Sequence, residues 1–314
     1  MKVSIRDLSK MTGFSPATIS NALNHKKGVN RETAEEIFRV ARETGYLSAN
    51  AVTKIRLVIF KKNGQILEET PFFQQMIEGI EEECHRLGYE MVISHVDQRN
   101  PNYQKQVRDL LEEQGVGIIL LGTEMMDGDL SLYRNASCPV LLLDHWTESM
   151  DFNSVLINNA DAARAITEHL LDNGHREVGY LRGNYRIKAF RSRFIGFQTA
   201  LKKYKVPYKE EYTVTVGTYM STACQDMLEY LKKKPKLPTA FFADNDIIAL
   251  GAMKALQEMG YRIPEDISIV GFDDLTFSEI SSPPLTTLRV EKREMGKMAV
   301  RRLVEPVSYT HLTL

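Results

Sequence analysis

The chain has 314 residues, 43% of them hydrophobic, and a formal net charge of −1. That is enough apolar material for a sizeable core and more length than one small domain needs, so two or three compact units are expected. The sequence opens on a polar helical pattern, and no apolar run approaches the roughly 20 residues that span a bilayer, so no export signal or membrane partner is expected and the chain reads as cytoplasmic.

The first helix starts at a capping box, Ser4 with Asp7 three positions on, and Ile5, Leu8 and Met11 give it one apolar stripe before Gly13 ends it. A second helix follows, with Ser15 as N-cap and Pro16 at its first position; Ile19, Ala22 and Leu23 face inward and leave Pro16, Ala17, Thr18, Ser20 and Asn21 outward. The third begins near Asn30, carries Ala34, Ile37, Phe38 and Ala41 at spacings of three and four, and stops at Gly45. Two short helices joined by a glycine-containing turn, with a third closing the core, predict a helix-turn-helix head. Charge agrees: residues 1–56 hold ten Lys or Arg against five Asp or Glu, while the remainder holds thirty against thirty-six. A basic head on an acidic body suits phosphate, and the small polar face of helix two, with Lys26 and Lys27 behind it, suits base edges in a major groove.

Beyond Ile55 the period changes. Apolar runs such as RLVIF, EMVISHV, GIILLG, VLLL, EVGYLRG, TAFFAD and DISIVGF alternate with amphipathic stretches such as FFQQMIEGIEEECHRL and DAARAITEHLLD. That alternation predicts parallel strands with crossover helices, in an α/β body with enough strands for two sheets. Ligands of such sheets bind beyond the carboxyl ends of the strands. The residues there are Phe72, Phe73, Asp144, Trp146, Asn158, Asn159, Asn245, Asp273 and Asp274, with Arg193 on the helix after GYLRG and Tyr219 after YTVTVG. Aromatic faces, amides, carboxylates and a guanidinium suit a sugar or another small polar metabolite. Taken singly, a strand-end Asp is more often a helix cap and a Phe more often core.

Two long stretches resemble one known family. SIRDLSKMTGFSPATISNALN followed by GVNRETAEEIFRVARETGY resembles the head of the LacI family of bacterial transcriptional regulators, and PTAFFADNDIIALGAMKALQEMGYRIPEDISIVGFDD with the PPLTTLRVEKREMGKMAVRRL that follows resembles its effector domain. The resemblance runs from residue 3 to about 305. It implies a helix-turn-helix domain at 1–47, a short linker at 48–56 and a two-lobed, periplasmic-binding-protein-like body at 57–314, with lobe one at about 57–158 and 288–305 and lobe two at about 159–287. It also implies a homodimer that binds double-stranded operator DNA, as a repressor rather than an activator, and a sugar-like effector held between the lobes whose binding alters their closure. By position, Pro16, Ala17, Asn21 and Lys27 match base-facing residues, and Ser4, Thr18, Asn24 and Tyr46 match backbone-contacting ones. Phe72, Phe73, Asn158, Arg193, Tyr219, Asn245 and Asp273 match the effector pocket, with Asn158 standing where an Asp is common.

Two departures from the family pattern stand out. The linker is short, with Arg56 where the family carries a leucine that wedges into the minor groove. The end, EPVSYTHLTL, does not continue the pattern, so a last strand and helix of the second lobe are expected to be missing. A solute-binding protein shares the body, but it would need an export signal in place of the basic head. Catalysis is not expected: P-loop, GxSxG, HExxH and GxGxxG patterns are absent. The seven histidines have no metal-ligand spacing, and Cys84, Cys138 and Cys224 stand far apart without CxxC. No cofactor or metal is therefore expected, and the cysteines read as buried free thiols.

Overall fold

The computed structural model describes residues 3–23, 28–46, 52–68, 71–149 and 151–305. The chain divides into two compact units, one of residues 1–62, 75–156 and 293–314, the other of residues 63–74 and 157–292.

The head is three helices, α1 (Ile5–Thr12), α2 (Pro16–Leu23) and α3 (Arg31–Glu43). Each start is fixed by a side chain that satisfies an orphan backbone N–H. Ser4 Oγ accepts from Asp7 N at 3.3 Å while Asp7 takes Ser4 N at 2.9 Å; Ser15 Oγ accepts from Thr18 N at 3.0 Å, and Asn30 Oδ1 from Thr33 N at 2.8 Å. Leu8, Ile19, Ala22, Ile37, Val40 and Ala41 form the buried core. Met11 departs from the expected stripe, being 59% exposed. The helix has only two turns, and Phe14, brought in through the left-handed turn at Gly13 (φ 75°), packs against the core instead.

In the first unit β1 (Lys54–Lys61), β2 (Glu90–Asp97), β3 (Val116–Leu121), β4 (Val140–Leu143) and β5 (Asn153–Val155) form a sheet of order β2-β1-β3-β4-β5. All its pairs are parallel. β3 is buried at every position, which is why it reads as an unbroken apolar run. The crossovers include α4 (Phe72–Leu87) and α5 (Tyr103–Leu111), whose Val107 and Leu111 join Val58, Phe60, Ile118, Leu120 and Leu142 in one core.

The linker boundary needs correction. Lys54, Ile55 and Arg56 belong to β1, paired with both Glu90–Val92 and Val116–Ile118, because the ladder satisfies backbone groups that a linker would leave to water. Arg56 therefore sits in the sheet and holds no wedge position; its guanidinium reaches Glu113 at 2.5 Å and Ser94 Oγ at 2.8 Å. Residues 48–51 of the linker, with Leu47 before them, and the divergent end at 306–314 lie outside the described residues.

The second unit holds α6 (Asn159–Asp172), β6 (Val178–Gly183), α7 (Lys188–Lys203), β7 (Thr213–Val216), α8 (Met220–Lys232), β8 (Ala240–Ala243), α9 (Asp246–Glu258), β9 (Ser268–Val270) and the short α10 (Thr276–Ile280). Its sheet, order β7-β6-β8-β9, is also parallel throughout. The carboxyl ends of its four strands therefore share one edge, and the loops after them converge there.

The last described helix, α11 (Lys292–Val304), returns to the first unit and crosses α4 at a pair of glycines. A Cβ on Gly79 would stand 2.0 Å from the Arg293 carbonyl oxygen, and one on Gly296 2.2 Å from that of Met76, so backbone meets backbone. Beside this crossing Glu83, almost fully buried, accepts from Arg86 at 2.5 Å and Arg301 at 2.7 Å. The two guanidiniums hold its carboxyl at about 2 against burial, which pushes it up. A carboxyl depressed in the folded state stabilises fully above its unfolded value and loses that stabilisation as pH falls through the folded one. Glu83→Gln is thus expected to cost about 1–3 kcal/mol at pH 7, discounted because both arginines are half-exposed. The difference in urea midpoint from the parent chain should shrink between about pH 4.5 and 2; a constant difference over that range would contradict the pairing.

Candidate functional site

The first candidate surface is on α2. With Ile19 and Ala22 turned into the core, Ala17, Ser20 and Asn21 fall on the far side by helical spacing and Pro16 flanks the helix start; Pro16 and Ala17 are exposed and Asn21 is half-buried. The first turn of α2 carries no acidic residue, so its positive dipole end is left for phosphate. The hydroxyls of Ser4 and Thr18 also serve their own helix starts, Ser4 Oγ donating to Asp7 at 2.6 Å and Thr18 Oγ1 sharing a proton with Ser15 Oγ at 2.8 Å. Tyr46 packs, half-buried, against the head core. Asn24 and Lys27 lie outside the described residues.

The second candidate lies at the strand ends of the second unit and centres on Arg193. This α7 side chain is 4% exposed. Its Nε donates to Asn159 Oδ1 at 2.8 Å, one terminal nitrogen donates to the Asp244 carbonyl at 2.7 Å, and the other stands 3.3 Å from Asp273 Oδ1. The guanidinium lies over the Phe272 ring, 3.7 Å from its centroid. One planar fork thus ties the start of α6 to the ends of β8 and β9.

Asp244, fully buried, anchors the same corner. Its carboxylate accepts from Tyr180 Oη at 2.5 Å and Gly183 N at 2.8 Å, and pairs with Arg186. Burial pushes its carboxyl above the usual range while Arg186 and then Tyr180 pull it back. Asn245 caps α9, its Oδ1 accepting from Ile248 N at 3.0 Å. Asn158 is an exposed cap of α6, bonded to Asp161 through Nδ2 at 2.8 Å. Tyr219 is the half-buried residue before α8. Phe72 and Phe73, buried, meet edge to face at 5.1 Å.

Of the seven residues expected at an effector site, the structure thus joins Arg193 directly to Asp273 and to the residue before Asn245. Asn158 is next to the Asn159 that Arg193 holds. Phe73 stands with Phe72, away from the guanidinium's own contacts. Sequence reading missed Asp244, Arg186 and Phe272. The signal for Asp244 was present, since an acidic residue directly follows the apolar run AFFA, but its partners lie 58 to 64 positions away. Among the described residues no group of acidic, His or Cys side chains is arranged to hold a metal.

A periplasmic binding protein-like domain model matches residues 167–312. The HTH-type transcriptional repressor PurR of Mannheimia succiniciproducens is 30% identical over 309 residues, covering 97% of this chain and 92% of that protein. The chain belongs to the LacI family of bacterial transcriptional regulators. Another PurR repressor, from Haemophilus influenzae strain PittEE, is 29% identical over 97% of this chain and 91% of its own length. Among solved structures, the transcriptional regulator CelR in complex with cellobiose gives a TM-score of 0.70 at 25% identity, covering 96% of this chain and 92% of that one. The lac repressor dimer bound to operator and the anti-inducer ONPF gives 0.69 at 26% identity, covering 97% and 92%. As a LacI-family member the chain is a DNA-binding, ligand-responsive regulator, and its parallel-sheet body is the fold that the resemblance implied. No described helix is long and apolar enough to cross a membrane.

Proposed function

We propose that this chain is a cytoplasmic, homodimeric repressor, not an enzyme. Residues 1–47 read operator DNA through Pro16, Ala17, Asn21 and Lys27, with Ser4, Thr18, Asn24 and Tyr46 on the backbone. A sugar or sugar derivative is the effector, taken up by Phe72, Phe73, Asn158, Arg193, Tyr219, Asn245 and Asp273. The observation that carries the effector assignment is the Arg193 fork. Two of its five N–H donors are taken by Asn159 Oδ1 and the Asp244 carbonyl, and the second terminal nitrogen is ion-paired to Asp273 at 3.3 Å without a hydrogen bond to its Oδ1, which leaves donors of that fork for ligand oxygens among the described residues. A guanidinium so held keeps its orientation, the condition for reading a hydroxyl pattern without a large ordering cost. Reciprocal linkage then makes the effector change operator affinity by the factor with which operator changes effector affinity, roughly 5 to 150-fold for about 1 to 3 kcal/mol of coupling.

The test is calorimetry of the full chain against mono- and disaccharides and nucleobases, paired with operator binding followed by fluorescence anisotropy. A saccharide that binds and shifts operator affinity by that factor is the expected result. Binding confined to nucleobases overturns the sugar assignment, and a response that survives loss of Arg193 overturns the site.

A further inference from the structure

Lys292 was singled out neither by the strand-end pattern nor by family position, yet three features of the Asp273 corner meet on it. Asp273 and Asp274 have φ values of 123° and 53°, left-handed backbone that is costly for a non-glycine residue and persists only where its surroundings over-determine it. Lys292 is 3% exposed, and its ammonium donates to the carbonyls of Asp273 at 2.5 Å, Asp274 at 3.1 Å and Val290 at 3.3 Å. Three donors meet three acceptors. The same ammonium stands 5.6 Å from the centroid of Phe72, so one cation touches both an aromatic and the carboxylate-bearing loop assigned to the effector site.

We propose that Lys292 is the positioning residue that presents the Asp273 carboxylate to Arg193. The proposal rests on the reading of this cluster as the effector site. Clamping the Asp273 and Asp274 carbonyls fixes the direction in which the Asp273 side chain leaves the backbone. Without the clamp the loop relaxes toward ordinary extended backbone and swings that carboxylate off the guanidinium. From the other side the amides are held, Asp273 N donating to the Leu288 carbonyl at 2.9 Å and Asp274 N to Thr287 Oγ1 at 3.3 Å, but the carbonyls are left to Lys292, and the side-chain contact of Arg289 with Asp274 at 2.6 Å is 73% exposed on the arginine. Burial lowers the ammonium's pKa, while the facing carboxylates Asp273, Asp274, Asp246 and Glu291 raise it; the clamp therefore weakens at alkaline pH.

The full chain is compared with Lys292→Met and Lys292→Arg by hydrogen exchange and by cellobiose titration from pH 7 to 10.5. In Lys292→Met, amides 272–276 are expected to lose at least tenfold in protection relative to those of β6, and Lys292→Arg, which keeps the cation, to restore part of it. A merely structural role would lower protection across the unit alike. Unchanged protection at 272–276, or a loss of equal size in β6, overturns the proposal. Where cellobiose binds, affinity is expected to fall with pH in the parent and to hold in Lys292→Arg; an equal fall in both also overturns it. If the parent binds no saccharide, the sugar reading fails while the exchange comparison still decides the role of Lys292.

Discussion

Arg193→Met is expected to remove about 3–5 kcal/mol from the stability of the second unit, because it leaves the amide oxygen of Asn159 and the carbonyl of Asp244 buried without their donor and the buried Asp273 carboxylate without its ion-pair partner. With a urea slope of about 1–3 kcal/mol per M, the transition that reports on this unit should move down by at least about 1 M. Arg193→Lys separates the two duties of the residue. It keeps the charge and loses the planar fork, so effector response should disappear at a smaller cost in stability. A variant that responds normally with methionine at 193 would remove the guanidinium from the site altogether.

Asn21→Ala should weaken binding to a specific operator by about 1–3 kcal/mol, roughly 5 to 150-fold, with affinity for random duplex nearly unchanged. The asymmetry follows from position. Asn21 is uncharged and stands on the side of α2 opposite Ile19 and Ala22, so deleting its amide costs base-edge contacts and no counterion release. Equal losses on operator and random DNA, measured at one salt concentration, would show that the residue does not read sequence.

Much of this architecture was legible because buried parallel strands announce themselves. β3 and β8 have no exposed residue, so their apolar runs needed no alternation to be read, and the caps Ser4, Ser15 and Asn30 stand at the helix starts they were expected to mark. What was not legible was long-range. Nothing local distinguishes Asp244, whose partners Tyr180, Gly183 and Arg186 come from another strand and the loop beyond it, from an ordinary strand-end cap. Arg56 misled for the same reason. A charged residue directly before an apolar run looks like linker until Glu113, 57 positions on, is seen to hold it in β1. Met11 failed because periodicity locates a stripe but not the point where a short helix runs out of neighbours.

The crossing of α4 and α11 at Gly79 and Gly296 bears on the order in which the protein is made. The first unit's sheet is encoded before residue 157, yet α11 is not translated until the whole of the second unit has left the decoding centre. At about 5–20 residues per second, that delay is of the order of ten seconds. Throughout it the face of α4 that takes Gly296 is bare backbone, with room for no side chain, and Glu83 lacks Arg301. The unit that begins first is thus the one that finishes last, and a nascent chain paused before residue 293 leaves open the α4 surface that α11 covers in the finished protein.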